Sequence, residues 1–387
     1  MPTTQSTHKT HNKVASRFRT LQSSRVLFLV NGSEQSAMGI RARDLTTRLP
    51  GRFQFDVAYR QGKRVQDAKR FLTALWTAKP DIVYVFDMAV SGVAAAILYK
   101  AMTRTPLVVD TGDAITALAR TIGRSPVGLG LTAALEELTL RTADHIVVRG
   151  RNHRTLLRER DVQNVTVIPD GVDLRQFHVS SQRDAIRNQL DLNGDLVLGT
   201  LGSSHWNDRL QTCYGWEMLD VLDRLRDEPL QAVMIGSGDG IDRMKERARY
   251  LGLTDRIHFL GYVPYDELPN YLSAFDVGLS KQTNDRVGQV RTTGKLPLYM
   301  ACGRYVLATR VGEAAHVLPD DMLIPFEGTD DPYYTDRLTQ RVSCLLRNRT
   351  SLKLGLSNRE RAREFFDYNS LSVRLARVLD SVPFRRT

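Results

Sequence analysis

The sequence has none of the long apolar runs that membrane-spanning helices require. In its 387 residues no stretch approaches the roughly 20 consecutive apolar residues of such a helix. The longest candidate, residues 89–98, is short and rich in small side chains, and it predicts a buried helix. The first 24 residues mix Thr, Ser, His, Lys and Arg without an apolar core, so we expect a disordered basic tail rather than a signal peptide.

Cysteine is also scarce. The three cysteines, Cys213, Cys302 and Cys344, lie in apolar or helical contexts and show no metal-ligand spacing. We therefore expect buried free thiols in a reducing cytoplasm, and no metal site.

Acidic residues are in short supply only in the first half of the chain. Residues 1–180 carry 26 Lys and Arg against 15 Asp and Glu, whereas residues 181–387 carry 28 of each kind. The excess of positive charge predicts that the first half faces an anionic partner, such as a membrane leaflet or a phosphorylated acceptor. A solvated basic surface without a partner would explain the charge as well. Nucleic acid is disfavoured, because the basic stretches lack interleaved aromatic residues and a groove-reading motif.

Short apolar, β-branched runs alternate with longer amphipathic segments along nearly the whole chain. This alternation is typical of βα units and parallel sheets. Two sets of six runs predict two Rossmann-like domains, the first with strands near 25–30, 53–58, 81–86, 106–110, 145–148 and 165–168, the second near 196–201, 231–235, 256–260, 276–279, 305–308 and 322–324.

The boundary between the two domains is predicted near residues 170–182, because Pro169-Asp170-Gly171 is typical of a turn after a strand. The last segment, 357–379, has apolar residues at helical spacing. The expected organisation is a tail (1–24), an N-terminal domain (25–177), a C-terminal domain (178–357) and a final helix (358–387) that packs back toward the N-terminal domain.

Ligands of open α/β sheets bind beyond the carboxyl ends of the strands, so the loops after the strands are candidate sites. Residues 31–41, with Gly39, follow the first strand, and the glycine-rich residues 236–240 follow another in the second half. Ordinary strand-to-helix turns explain both loops too, and Asp239 in the second would repel a phosphate.

A third loop is more specific. Residues 292–303 predict a short helix that is capped by a threonine, carries Pro297 in its first turn and ends at Gly303. The amides at its start and Lys295 would present positive potential at one point, which suits a diphosphate. A capped helix with an incidental lysine is the alternative.

An ordered series of motifs resembles glycosyltransferase family 4 over roughly residues 25–380. The motifs are ADHIVV at 143–148, VIPDGVD at 167–173, IHFLGYVP at 257–264, LPNYL at 268–272, FDV at 275–277, and KL, YMACG and VLAT between 295 and 309. The resemblance implies an α/β protein of the GT-B fold, in which two Rossmann-like domains face each other across a cleft. It further implies that the C-terminal domain binds a nucleotide sugar, that the N-terminal domain holds the acceptor, and that transfer retains the anomeric configuration without metal or cofactor.

The resemblance also assigns roles to residues of this sequence. Gly39 matches a glycine that approaches the donor from the first domain. In the loop 203–209, where the family places cations against the diphosphate, the usual spacing is absent; Arg209 is the best cationic candidate, with His205 behind it. The implied donor contacts are Ser203, Val263 beside the base, and Thr292, Thr293, Gly294 and Lys295 at the phosphates.

Two glutamates that the family uses are missing. The position that normally hydrogen-bonds the donor ribose is Leu298, and the sugar-binding position eight residues earlier is Val290; no glutamate occurs between Glu267 and Glu313. A charged hydrogen bond contributes about 1.5 to 3 kcal/mol, so its loss would weaken donor binding roughly ten- to a hundred-fold. Three explanations stay open: another acid such as Asp285 substitutes, the donor is held differently, or catalysis has been lost.

The resulting hypothesis is transfer of a sugar from a nucleotide diphosphate to a hydroxyl, with Lys295 and Arg209 stabilising the leaving diphosphate. Asp110 and Asp113 lie on the acceptor side, and one of them is expected to cap a helix. The rival hypothesis is a catalytically inactive glycosyltransferase-like binding protein. The expected partners are the donor, a sugar or lipid-linked acceptor, and an anionic membrane surface at the inner face of the plasma membrane, in polysaccharide or glycolipid synthesis.

Overall fold

The computed structural model describes residues 23–192 and 194–383. The tail predicted for residues 1–24 therefore falls, in its first 22 residues, outside the described residues.

The first half of the chain forms a six-stranded parallel sheet. Its strands are β1 (Ser24–Val30), β2 (Phe53–Tyr59), β3 (Ile82–Phe86), β4 (Leu107–Thr111), β5 (His145–Val148) and β6 (Val165–Val167), in the order β2-β1-β3-β4-β5-β6. β3 and β4 are buried along their whole length, as expected of central strands covered on both faces. This burial is why their sequences are apolar without interruption.

Helices cover both faces of this sheet. They are α1 (Ala37–Thr46), α2 (Arg64–Ala78), α3 (Val90–Thr103), α4 (Ile115–Thr121), α5 (Pro126–Thr142) and α6 (Arg151–Arg158). Ala42 and Leu45 of α1 pack on one face. Side chains of α2, α3, α5 and α6 pack on the other face, among them Phe71, Val93 and Leu140.

The second half repeats this plan with another six-stranded parallel sheet. Its strands are β7 (Leu196–Leu201), β8 (Leu230–Ile235), β9 (Ile257–Gly261), β10 (Val277–Ser280), β11 (Tyr305–Thr309) and β12 (Leu323–Ile324). They lie in the order β12-β11-β10-β7-β8-β9. Its helices are α7 (Arg183–Gln189), α8 (Trp216–Arg224), α9 (Gly240–Leu251), α10 (Leu268–Ser273), α11 (Arg286–Val290), α12 (Lys295–Ala301), α13 (Ala314–Val317) and α14 (Tyr334–Arg347). The predicted fold class, two Rossmann-like domains, is confirmed.

The last segment is two helices, and the expectation of one continuous amphipathic helix is wrong. α15 (Asn358–Phe366) and α16 (Tyr368–Ser381) are separated by Asp367, whose extended backbone starts α16 and whose side chain accepts from the Asn369 N–H. Phe366 packs in the core of the second sheet, whereas Leu371 and Leu375 pack with α1 on the first. The break lets the chain leave one core and enter the other.

Two burial predictions need correction. Cys213 and Cys302 are buried, but Cys344 is exposed on α14. The apolar segment 89–98 belongs to the longer helix α3, and Leu98 points outward, about half exposed. Across the described residues, none of the helices combines the length and the apolar character needed to cross a bilayer.

Candidate active site

A cavity of about 390 Å³ lies between the two sheets, at the carboxyl ends of their strands. The start of α1 and the loops after β5 and β6 line it from the first domain. The loop after β7 and the segment that leads into α12 line it from the second. We call this space the donor cavity; its lining includes Met38, Arg149, Asp170, Gly202, Tyr265, Thr292, Lys295 and Leu298.

Lys295 opens α12 at the wall of the donor cavity. Its Nζ lies 3.4 Å from the centroid of the Tyr214 ring, a cation–π contact. The ring is held in place because the Tyr214 hydroxyl donates to the Leu279 carbonyl at 2.8 Å. Gly202 makes room for the ammonium group: its φ is +146°, and a Cβ there would lie 3.2 Å from Nζ.

The protonation of Lys295 is sensitive to its surroundings. Burial lowers the pKa of this amine to about 7, against the smaller opposing effect of Glu217. Within the described residues no carboxylate oxygen lies within 4.0 Å of Nζ. An anion that enters the cavity could therefore pair with this ammonium group without displacing a carboxylate.

Behind the cavity lies a buried ion network in the first domain. Arg41, fully buried on α1, donates to Asp110 from Nε at 3.0 Å and from Nη2 at 2.8 Å. It also donates to the carbonyls of Ile168 and Pro169, at 2.6 Å each. Arg149 adds a contact to Asp110 at 3.3 Å. Arg41 thereby fixes the backbone that leads from the first domain into the second.

Two contacts join the domains beside the donor cavity. The Thr292 hydroxyl donates to Asp170 Oδ2 at 3.0 Å, and Arg291 Nε donates to Asp113 Oδ1 at 2.8 Å. Both acceptors belong to the first domain and both donors to the segment before α12. These contacts tie the segment that leads into Lys295 to the first domain.

A second cavity, of about 180 Å³, lies within the first domain where β3 and β4 end; we call it the acceptor cavity. Asp87 and Asp113 supply carboxylates, Arg60 and Arg124 supply cations, and the wall is largely apolar. Asp87 has a left-handed backbone, with φ of +70°. Burial raises the pKa of its carboxyl group despite Arg149 at 3.9 Å.

Two family profiles match the chain in succession. The profile described as glycosyl transferase 4-like domain matches residues 18–171, and the one described as glycosyl transferases group 1 matches residues 197–347. The chain belongs to the family 4 glycosyltransferases.

Among curated relatives of this chain is WcaI of Escherichia coli (strain K12), a glycosyl transferase assigned to colanic acid biosynthesis. It is 28% identical over 201 residues, which are 49% of this chain and 47% of that protein. The gpi3 subunit of phosphatidylinositol N-acetylglucosaminyltransferase from Schizosaccharomyces pombe is 23% identical over 266 residues, 67% of this chain and 54% of that protein. The chain spans about half the length of the curated relatives it matches.

Solved structures share the fold of this chain at low identity. Anabaena HepE, solved with UDP and glucose, matches 93% of this chain and 100% of its own, with a TM-score of 0.74 and 18% identity. Sucrose-phosphate synthase from Thermosynechococcus elongatus matches 92% of this chain and 98% of its own, with a TM-score of 0.73 and 15% identity.

Among the predicted donor residues, four line the donor cavity: Thr292, Gly294, Lys295 and Leu298. The loop after β7 is placed differently. Arg209 is exposed and its backbone N–H donates to Asn207, while His205 Nδ1 lies 3.3 Å from Asp239. Ser203 is exposed as well. None of these three residues lines the donor cavity.

Four other predicted donor residues are absent from the lining of the donor cavity. Gly39 sits inside α1, where an added Cβ would meet the Glu34 carbonyl oxygen at 2.2 Å. Val263 packs against the second core, and Thr293 Oγ1 lies 3.3 Å from Ser280 Oγ. Asp285 caps α11 by accepting from the Gly288 N–H at 2.8 Å. Its carboxylate is thus already engaged.

Two expectations about helix caps are wrong. α12 begins after Gly294 and no side chain caps it, so no threonine has that role. Asp110 does not cap a helix either, because it is fully buried and paired with Arg41; Asp113 forms the ion pair with Arg291 instead. Leu298 is nearly buried in the cavity wall and Val290 is buried completely.

The sequence motifs did not single out Arg41, Arg149, Asp170 or Tyr214 as site residues. Arg149 comes directly after β5 and Asp170 three positions after β6, where ligand-binding loops are expected, so position alone could have found them. Asp87 follows β3 in the same way. Arg41 and Tyr214 carry no such signal, since only the three-dimensional contacts reveal them.

Proposed function

We propose that this chain transfers a sugar from a nucleotide diphosphate donor to a hydroxyl acceptor. The observation that carries the proposal is the position of Lys295: a cation without a carboxylate partner among the described residues, facing a cavity between two Rossmann-like domains. A diphosphate in the donor cavity would supply the negative charge that pairs with this cation.

The donor we propose is a UDP-sugar. Support comes from proteins of the same fold solved with uridine nucleotides, namely HepE with UDP-glucose and Staphylococcus aureus MnaA with UDP. The nucleotide sugar would lie across the donor cavity, with its diphosphate at Lys295 and its sugar toward Asp170 and Arg149. Leu298 would meet the ribose through its alkyl surface instead of a carboxylate.

In the proposed reaction the bond between the anomeric carbon and the diphosphate oxygen breaks while a bond to the acceptor oxygen forms. Negative charge grows on the departing diphosphate, and Lys295 stabilises it. The diphosphate takes the acceptor proton on the same face of the sugar, so the configuration is retained. The carboxylates of Asp110 and Asp170 are already paired with Arg41 and Arg149, which favours this route over one that uses a carboxylate as the base. In this reaction Lys295 stabilises the charge on the diphosphate, and neither a metal nor a cofactor takes part.

The acceptor would enter the acceptor cavity and present its hydroxyl near Asp87. We propose a sugar or lipid-linked acceptor used in polysaccharide or glycolipid synthesis, at the cytoplasmic face of the plasma membrane. The names of two relatives support this class, since one is assigned to colanic acid biosynthesis and the other acts on phosphatidylinositol. The basic first half of the chain, 26 Lys and Arg against 15 Asp and Glu, suits an anionic surface.

The test combines binding with turnover. A thermal-shift panel of nucleotide sugars should give a concentration-dependent rise with UDP-sugars, because a ligand that binds only the folded state stabilises it. Release of UDP should then depend on Lys295 and be lost in Lys295→Ala, while Lys245→Ala, an exposed lysine on α9, keeps it. Unchanged turnover in Lys295→Ala would refute the assignment. A thermal shift without any turnover of the unaltered chain would favour the inactive binding protein.

A further inference from the structure

The outer side of α5 is apolar although nothing in the described structure covers it. Val127, Leu131, Ala134 and Leu138 recur at helical spacing and are all exposed, Val127 to 74% and Leu131 to 69%. The opposite side of the helix, with Thr132 and Leu140, is the side that is buried. An aqueous surface normally has polar residues at such positions.

The neighbouring helix α3 has the same feature. Its exposed side carries Val90, Ala94, Leu98 and Met102, while Val93 and Ala96 pack on the sheet. α3 and α5 lie next to each other on the same face of the first sheet. Their outward stripes therefore form one apolar surface, which we call the α3–α5 face; Ile122, exposed between α4 and α5, extends it. Exposed apolar side chains that are grouped in this way mark an interaction site.

Positive charge predominates around the α3–α5 face. Arg120 and Arg124 lie near one end of the helices, and Arg104 and Arg141 near the other. α3 contains no acidic residue, and of the two glutamates of α5 one is buried. The other, Glu137, is paired with Arg141. An apolar centre with a basic rim is complementary to anionic lipid headgroups over acyl chains.

The face is continuous with the acceptor cavity. Val90 and Ile122 belong to both, and the cavity continues inward along Ile115, Leu118 and Leu135 to Asp87. An amphiphile could therefore keep its apolar part on the α3–α5 face while its polar part reaches the carboxylate.

We propose that the α3–α5 face docks on an anionic phospholipid bilayer and that the acceptor enters its cavity directly from that bilayer. Entry of the acceptor from the bilayer rests on the proposed glycosyl transfer, whereas docking of the α3–α5 face does not. A second copy of the chain is the competing occupant, which the experiment must distinguish.

The experiment is co-sedimentation of the full chain with vesicles of phosphatidylcholine alone or with phosphatidylglycerol added. The chain should bind the anionic vesicles, and less so at high salt. The double variant Val127→Ser/Leu131→Ser should bind roughly tenfold more weakly, because two apolar contacts with the bilayer are lost. Arg120→Gln should cost about fivefold. The matched control is Tyr250→Ser/Tyr333→Ser, which removes two equally exposed apolar side chains from the second domain and should bind like the unaltered chain.

Each outcome has one meaning. Weaker binding of the Val127/Leu131 variant and of Arg120→Gln, with unchanged binding of the Tyr250/Tyr333 variant, supports the assignment. Equal binding of both double variants, or no binding by the unaltered chain, overturns it, and so does a dimer in sedimentation velocity that the Val127/Leu131 variant converts to monomer. Since vesicle binding needs neither donor nor acceptor, failure of the proposed transfer would appear separately, as vesicle binding without UDP release when donor and acceptor are both supplied.

Discussion

Donor binding should depend on pH through Lys295. Burial lowers the pKa of this amine to about 7, so in the empty site the ammonium form is lost as pH rises through neutrality. A bound diphosphate favours the charged form and raises the pKa again. Binding above pH 7 must therefore take up a proton, and the donor affinity must fall as pH increases.

The size of the effect follows from the pKa. With a value near 7 in the empty site, about nine tenths of Lys295 is charged at pH 6 and about one tenth at pH 8. If the complex keeps the lysine charged throughout this range, the apparent affinity falls about tenfold, or about 1.4 kcal/mol, between the two pH values.

Isothermal titration with a UDP-sugar in buffers of different ionisation enthalpy measures the proton uptake directly. A sugar nucleotide is the correct ligand, because the terminal phosphate of free UDP itself titrates near pH 6. Uptake near pH 8 should approach one proton and vanish in Lys295→Met. Lys295→Arg should bind without pH dependence, since arginine stays charged. Proton uptake that persists in Lys295→Met, or an affinity that is flat from pH 6 to 8 in the unaltered chain, would refute the reasoning.

Three further substitutions test neighbouring parts of the site. Arg41→Met should lower the free energy of unfolding in urea by about 3 to 5 kcal/mol, because the buried Asp110 loses its main cationic partner. The control Arg43→Met, on the same helix, should lower it by less than about 1 kcal/mol. Leu298→Glu should tighten UDP-sugar binding about tenfold in titration while lowering stability by about 1 to 3 kcal/mol, and unchanged affinity would place the ribose elsewhere. Asp87→Asn should raise the acceptor KM about tenfold and leave the donor-induced thermal shift unaltered; equal loss of both would indicate general damage.

The strands could be predicted from the sequence because the sheets are covered on both faces. All twelve predicted strands are present, with ends that differ by at most one residue. Parallel strands covered on both faces must be apolar throughout, as in Ile82–Phe86, so their composition separates them from the amphipathic helices. The family motifs then ordered these strands into two domains.

The site was less predictable because its geometry depends on contacts between distant segments. Lys295 could be named from its motif, but not the ring of Tyr214 beneath it, 81 positions earlier in the chain. Arg209 has the right charge in the expected loop and still points to solvent. A helical apolar pattern likewise could not reveal the break at Asp367, since spacing alone does not show which core each half enters.

The contacts of Arg291 link the donor cavity and the acceptor cavity. This residue pairs with Asp113 in the acceptor cavity, and it lies four positions before Lys295, which lines the donor cavity. A single short segment of the second domain thus touches both cavities. An acceptor that displaces Arg291 from Asp113 would loosen the segment that carries Lys295, whereas a diphosphate that holds Lys295 would keep Arg291 in place. Because such coupling is reciprocal, the affinity for each substrate must change with occupancy of the other. In Arg291→Gln, where the ion pair is gone, donor binding should respond to the acceptor less than in the unaltered chain.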